Sequence, residues 1–66
     1  MTVYDFCDLC IDDGYPIEVW DNRVEDTVAV GTIHEVMNGD YADYEVIAFD
    51  APYNGVLCLN IDTSDD

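Results

Sequence analysis

The stretch Glu45–Asp62, EVIAFDAPYNGVLCLNID, restricts the fold more than any other part of the chain. Its second half, Leu57–Asp62, alternates apolar with small or polar side chains, which is the two-residue period of a half-buried strand. Its first half, Val46–Phe49, is rich in residues that suit a pleated surface. The pair Asn54-Gly55 between them tolerates positive φ and closes hairpins. We therefore predict a β-hairpin, with Pro52 in its loop because proline cannot donate to a ladder.

The N-terminal segment, residues 2–13, has the pattern of a helix. Thr2 and Asp5 have the spacing of a capping box, and Gly14 and Pro16 are suited to ending the helix. Apolar side chains recur at helical spacing and form one stripe. That stripe consists of Val3, Phe6, Cys7 and Cys10, and Ile11 widens it.

A second hairpin and a short helix are predicted between these two segments. Pro16–Asp21 and Thr27–Gly31 alternate as two antiparallel strands, joined by a polar connection. Thr32 and Glu35 again have capping-box spacing, so Ile33–Asn38 is predicted to form one or two helical turns. The expected inward-facing side chains of this region are Ile17, Val19, Val28, Val30, Ile33, Val36 and Met37.

These elements predict one small acidic α+β domain over residues 1–66. The N-terminal helix packs on a four-stranded antiparallel sheet made of two hairpins, with the short helix between the hairpins. Residues 63–66, TSDD, are expected to form a frayed acidic tail.

Charge excludes several classes of partner. Sixteen acidic residues accompany a single basic side chain, Arg23, giving a formal net charge of −15. Direct binding to nucleic acid or to an anionic membrane requires Lys and Arg, so neither is expected. The charge favours a cationic partner, a metal or a high-salt habitat, and it also favours solubility. No basic leader or long apolar run occurs, and three cysteines is an odd count, so we expect a reduced, cytoplasmic protein.

The cysteines and the histidine offer a possible zinc site. Cys7 and Cys10 form a C-x-x-C pair that Cys58 and His34 could complete. The spacing differs from that of a zinc knuckle, and no second paired motif is present. Small apolar residues on a buried helix stripe are the better interpretation of the pair, and carboxylates around it disfavour redox chemistry. We predict no metal and no cofactor.

Catalytic and calcium motifs do not emerge from the sequence. His34 has no nucleophile beside it. The runs Asp12-Asp13-Gly14 and Asp40-x-x-Asp43-x-Glu45 do not match the alternation of an EF-hand loop. Glycine-rich phosphate loops and serine elbows are absent as well. We predict that the protein is not an enzyme and has no catalytic residues.

The density of negative charge is close to that of duplex DNA. The duplex carries one charge per ~1.7 Å of axis, so fifteen charges correspond to roughly 26 Å. A chain of this length is expected to form a body roughly 28 Å across. Trp20 and the five tyrosines are too many for so small a core, and surface aromatics favour interfaces. The alternative interpretation is that the acids only solubilise the domain.

After the short N-terminal helix, the segments PIEVWDN, VAVGTIHEV, EVIAFDA and GVLCLNID run through most of the chain. In this general run the chain resembles the small acidic proteins carried by phages and mobile elements of Gram-positive bacteria. Proteins of this kind include DNA mimics, among them anti-CRISPR and anti-restriction inhibitors. The resemblance implies action in the cytoplasm of a bacterial host cell, and it assigns no individual site residue.

The first hypothesis is a non-enzymatic inhibitor that blocks the nucleic-acid groove of a basic host-defence protein, such as a CRISPR nuclease or a restriction component. The second is a non-inhibitory accessory protein that forms a homodimer through the exposed sheet face or the edge of the last strand. A metal-dependent nuclease is a poor third, because basic residues are missing. The predicted partner-binding residues of the first hypothesis are Glu18, Trp20, Asp21, Glu25, Asp26, Asp40, Asp43 and Glu45.

Overall fold

The computed structural model, which describes residues 1–53 and 55–64, is an α+β domain. The predicted turn residue Asn54 and the tail residues Asp65 and Asp66 lie outside the described residues. The elements in chain order are α1 (Val3–Asp8), β1 (Pro16–Asp21), β2 (Asp26–Thr32), α2 (Ile33–Met37), β3 (Ala48–Tyr53) and β4 (Val56–Ile61).

The four strands form one mixed sheet in the order β2-β1-β4-β3. Both predicted hairpins are present as antiparallel pairs, but the two inner strands, β1 and β4, run parallel. The prediction of an all-antiparallel sheet is therefore wrong. Residues 33–47, which include α2, return the chain to the end of the sheet where β2 began. This crossover joins β2 to β3 at the opposite edge of the sheet, so that β4 returns parallel to β1, and a tight turn cannot provide such a connection.

The core lies between one face of the sheet and the two helices. Side chains from β1 and β4 meet side chains from α1 and α2 there, and each fully buried aliphatic side chain contributes roughly 1.5–3 kcal/mol. Phe6 of α1 and Phe49 of β3 add a ring contact with centroids 5.5 Å apart. The buried apolar residues of the described chain are Val3, Cys7, Ile17, Val19, Ile33, Val36, Leu59 and Ile61.

Helix α1 begins as predicted and ends early. Thr2 Oγ1 accepts from the Asp5 amide and Asp5 Oδ2 accepts from the Thr2 amide, both at 3.1 Å, which confirms the capping box. The helix ends at Asp8 rather than near residue 13, and Ile11 is fully exposed instead of widening the apolar stripe.

The early end of α1 has an electrostatic cause and a topological one. The last turn contains no basic residue to offset the negative end of the helix dipole. The carbonyls of Asp13 and Tyr15 accept from the amides of His34 and Ile33, each at 2.9 Å. These bonds satisfy the first amides of α2, so the segment around Gly14 is held in a non-helical conformation.

A β-bulge in β2 changes which valines face the core. Val19 pairs with Ala29 and Trp20 pairs with Thr27, so Val28 is the extra residue. Val28 packs against the core, but Val30 lies opposite Glu18 and is 76% exposed. The prediction that Val28 and Val30 share the core face is wrong for Val30, because a bulge shifts the alternation of a strand by one residue.

Strand β3 starts later than predicted and contains Pro52. It is an edge strand, and its register shifts between Asp50 and Tyr53. Edge strands with bulges are where a sheet accepts proline, so the placement of Pro52 in the loop is wrong. Gly55 has a φ of 84°, as a hairpin turn requires.

Candidate functional site

A cleft opens at the end of the sheet where β1 and β4 finish. Its volume is about 460 Å³. One wall comes from the turn between β1 and β2, and the opposite wall comes from residues 38–47, which we call the connector. We call this feature the tyrosine cleft. Its lining residues are Asp21, Arg23, Val24, Val28, Tyr41, Tyr44, Thr63 and Ser64.

The floor of the tyrosine cleft is a hydrogen-bonded network around Asp21. Thr63 Oγ1 donates to Asp21 Oδ2 at 2.7 Å and accepts from Arg23 Nε at 2.6 Å. Asp21 Oδ1 also accepts from the amides of Arg23 at 3.0 Å and Thr63 at 3.2 Å. The chain's single basic side chain is thereby tied to the residues after β4. Thr63 is buried rather than part of a frayed tail.

These hydrogen bonds lower the pKa of Asp21. Burial is the largest single influence and raises the pKa, but the bonds from Thr63 and from the Arg23 amide together outweigh it. A lowered pKa means that the network stabilises the fold above the ordinary carboxyl pKa of about 3.9. That stabilisation is lost as the pH falls through the lower pKa of the folded state.

Replacing Thr63 with valine tests the network. We expect T63V to lower the melting temperature at pH 7 by roughly 8 °C. The variant loses two hydrogen bonds of the hydroxyl, the buried one to Asp21, worth about 1 kcal/mol, and a weaker, partly buried one from Arg23. The loss should shrink as the pH falls through the lowered pKa of Asp21 in the folded state, because the carboxyl then becomes protonated in both variants. The matched control is T27V, since the Thr27 hydroxyl makes no hydrogen bond within the described chain. Equal melting shifts for the two variants would contradict the role of the network.

The structure brings together the two connecting segments that were predicted to bind a partner. Glu25 and Asp26 are exposed beside one wall of the tyrosine cleft, and Asp40 and Asp43 are exposed on the connector that forms the other. The connector tyrosines have ring centroids 5.9 Å apart. Four of the predicted acids therefore flank one concave feature.

Two predicted partner-binding acids are already engaged within the molecule. Asp21 is 1% exposed, so it cannot present its carboxylate to a partner. The two-residue period could have shown this, because Asp21 follows Ile17 and Val19 on the core face of β1. Glu45 is exposed, but its carboxylate lies 2.8 Å from the N-terminal amine, and this contact raises the pKa of the amine.

The last two predicted residues, Glu18 and Trp20, lie on the sheet face opposite the helices and are half-buried. Within the described chain no helix packs on this face, which we call the open sheet face. Residues of β2, β3 and β4 join them on this face, and they could be identified only once the strand register was known. The open sheet face consists of Glu18, Trp20, Thr27, Val30, Ala48, Asp50, Cys58 and Asn60.

Few of the acids have a cationic neighbour. Across residues 1–53 and 55–64, the ion pairs are those of the N-terminal amine with Glu45 and of His34 Nδ1 with Asp13 at 3.9 Å. The second depends on protonation of an exposed histidine. The other described carboxylates form no ion pair, although hydrogen bonds from Ser64 and, to a smaller extent, the charge of Arg23 lower the pKa of Asp62.

The residues considered for zinc lie apart. Cys7 is in the core on the helix side of the sheet, whereas Cys58 lies on the open sheet face and His34 is exposed at the start of α2. No group of three potential ligands forms among the described residues. Burial, with a smaller influence from Cys10, raises the pKa of Cys7 to about 11, so its thiol is protonated at neutral pH.

Comparisons with protein families, with curated proteins and with solved structures found no match for this chain. No helix in the described part of the chain has the length and apolar character needed to cross a membrane.

Proposed function

We propose that this protein is a non-enzymatic inhibitor that occupies the nucleic-acid groove of a basic host-defence protein, such as a CRISPR nuclease or a restriction component. Its acids stand in for phosphates, and Trp20 is an anchoring side chain. We assign this role to half-buried Glu18 and to the exposed acids Glu25, Asp26, Asp40 and Asp43, whereas the predicted acids Asp21 and Glu45 are engaged within the molecule.

The observation that carries the proposal is charge per unit length. The longest dimension of the molecule is 31 Å and the formal charge is −15. The protein therefore presents one negative charge per about 2 Å, compared with one per ~1.7 Å of duplex DNA. A groove whose lysines and arginines hold a duplex would meet a similar charge on a body of similar size.

The scarcity of internal ion pairs supports the same function. A carboxylate that is paired with a lysine of its own chain has little attraction left for a partner. Here the described acids have almost no such competition. The energy of desolvating them can be offset only by cations from another molecule, which favours a strongly basic partner.

Competition for DNA tests the proposal. Labelled duplex DNA is bound to a guide-loaded CRISPR nuclease, or to the DNA-binding subunit of a restriction enzyme, and this protein is titrated in. We expect displacement of the DNA, with an apparent affinity that falls at least tenfold between about 50 and 200 mM NaCl. Simultaneous binding of DNA and protein would refute mimicry, and so would an affinity that salt does not change.

The alternative of a homodimeric accessory protein loses one of its two surfaces. One of the two surfaces offered for the dimer was the edge of the last strand, but β4 is an inner strand with β1 on one side and β3 on the other. The open sheet face remains available as the dimer surface of the accessory protein. Sedimentation at low and high salt distinguishes the two functions, because a dimer of such acidic chains is expected to strengthen as salt rises.

A further inference from the structure

The open sheet face combines apolar and acidic side chains in a fixed order. Strand register places them in two rows that cross all four strands. One row is Asp50, Cys58, Glu18 and Val30, and the other is Ala48, Asn60, Trp20 and Thr27.

The spacing of three of these side chains suits a positively charged ligand. Glu18 and Trp20 are two residues apart on β1, so they point to the same side about 6.7 Å from each other. Asp50 lies two strands from Glu18, at a backbone separation of about 10 Å. An indole ring and two carboxylates are therefore presented together on a rigid sheet.

The field on this face is negative and is not neutralised by the chain itself. Cys58 lies between Glu18 and Asp50, and its pKa is raised by burial first and then by these two carboxylates. Within residues 1–53 and 55–64, neither carboxylate forms an ion pair. A cation from outside would meet an attraction that no internal charge offsets.

We propose that the open sheet face is the docking surface for the basic partner and that it recognises arginine, with a guanidinium stacked on Trp20 and paired with Glu18. This inference rests on the proposed function for the nature of the partner. A guanidinium is planar, so it can stack on an indole and bond a carboxylate through two N–H groups. A lysine ammonium attracts the same charges but lacks this two-sided geometry.

A second copy of this chain is a poorer occupant of the same face. A two-fold contact would place the carboxylates of Glu18 and Asp50 from both copies in one interface, and like charges across an interface are repulsive. Four strands at ~4.8 Å spacing and about 20 Å length give a footprint of roughly 400 Å². That is about half of the ~800 Å² per partner that a standard stable interface buries.

The sole tryptophan of the chain makes the inference directly measurable. Peptides of nine arginines and of nine lysines are titrated at about 50 mM NaCl while Trp20 fluorescence is recorded. We expect the arginine peptide to change the emission and to bind about tenfold more tightly than the lysine peptide. We expect E18Q to weaken arginine-peptide binding about fivefold and to reduce the preference over lysine.

The matched pair D50N and D8N separates docking on this face from general attraction. Each removes one charge, but Asp50 lies on the open sheet face and Asp8 is exposed at the end of α1. We expect D50N to cost more binding than D8N. Equal losses, together with equal binding of the two peptides, would overturn the inference.

The nuclease competition assay separates this inference from the proposed function. If W20L leaves salt-dependent displacement of DNA unchanged, docking on the open sheet face is wrong but mimicry stands. If no basic nuclease binds while the arginine peptide still changes the fluorescence of Trp20, the proposed function is wrong and the arginine site stands.

Discussion

Replacing Leu59 with alanine is expected to remove about 3 kcal/mol from the free energy of unfolding. Leu59 is fully buried on the inner strand β4, and deleting a buried leucine side chain typically costs 2–5 kcal/mol, roughly in proportion to the cavity left behind. A domain of 66 residues is expected to have only about 3–10 kcal/mol in total. The variant should therefore unfold at much lower urea concentration, or be largely unfolded without urea.

Leu9 provides the matched control for this experiment. It is 70% exposed at the end of α1, so L9A should change the free energy of unfolding by less than about 0.5 kcal/mol. Urea unfolding followed by circular dichroism measures both variants. The more conservative change L59M, expected to cost less than about 1.5 kcal/mol, keeps the comparison measurable if L59A does not fold. Similar losses for L59A and L9A would contradict the described core.

Salt is expected to stabilise the isolated protein strongly. Two carboxylates about 10 Å apart in water repel by roughly 0.4 kcal/mol, and many such pairs act at once in this chain. Raising NaCl from about 10 mM to about 1 M shortens the screening length from about 30 Å to about 3 Å. With so few attractive pairs to weaken, we expect a gain of about 2 kcal/mol, equivalent to a rise in melting temperature of roughly 10 °C.

Differential scanning calorimetry over a series of NaCl concentrations measures this effect. Potassium chloride should give the same curve, because screening depends on ionic strength, whereas sucrose at equal osmolality should lack the steep rise at low concentration. A melting temperature that falls with salt would mean that attractive pairs dominate. Since salt stabilises the fold while it weakens the proposed complex, loss of binding at high salt could not be attributed to unfolding.

The features that the sequence predicted correctly are local ones. The capping boxes at Thr2 and Thr32 each depend on a residue three positions away, and both form. The alternation of Ile17 and Val19 with Glu18 and Trp20 depends only on the pleat of one strand, and β1 has the predicted bounds.

The features that were wrong depend on contacts distant in sequence. Ile11 has helical spacing, but the segment after α1 supplies carbonyls to the start of α2 and is held out of the helix. Val30 has strand spacing, but a bulge whose position is set by pairing with β1 reverses its face. The parallel arrangement of β1 and β4 follows from the path of residues 33–47, which no short pattern specifies.

The candidate site also has local features that the sequence predicted and long-range features that it did not. Exposed acids on the two connecting segments were identified because turns and connectors lie at the surface. Their meeting around the tyrosine cleft, and the alignment of Asp50 with Glu18 on the open sheet face, required the sheet order. The prediction that Asp21 binds a partner was wrong, because it followed from the charge of Asp21 and not from its core-facing position on β1.

The pairing of β1 with β4 at the centre of the sheet has a consequence for biosynthesis. Of the four strands of the sheet, β4 is synthesised last, so a chain that stops before it cannot bury Ile17 or Val19 against Leu59. We expect the many charges of the nascent chain to oppose its aggregation until β4 is made, and the complete core to form only after that. Messages cut short before β4 should yield no folded product, which makes the level of active protein sensitive to premature termination.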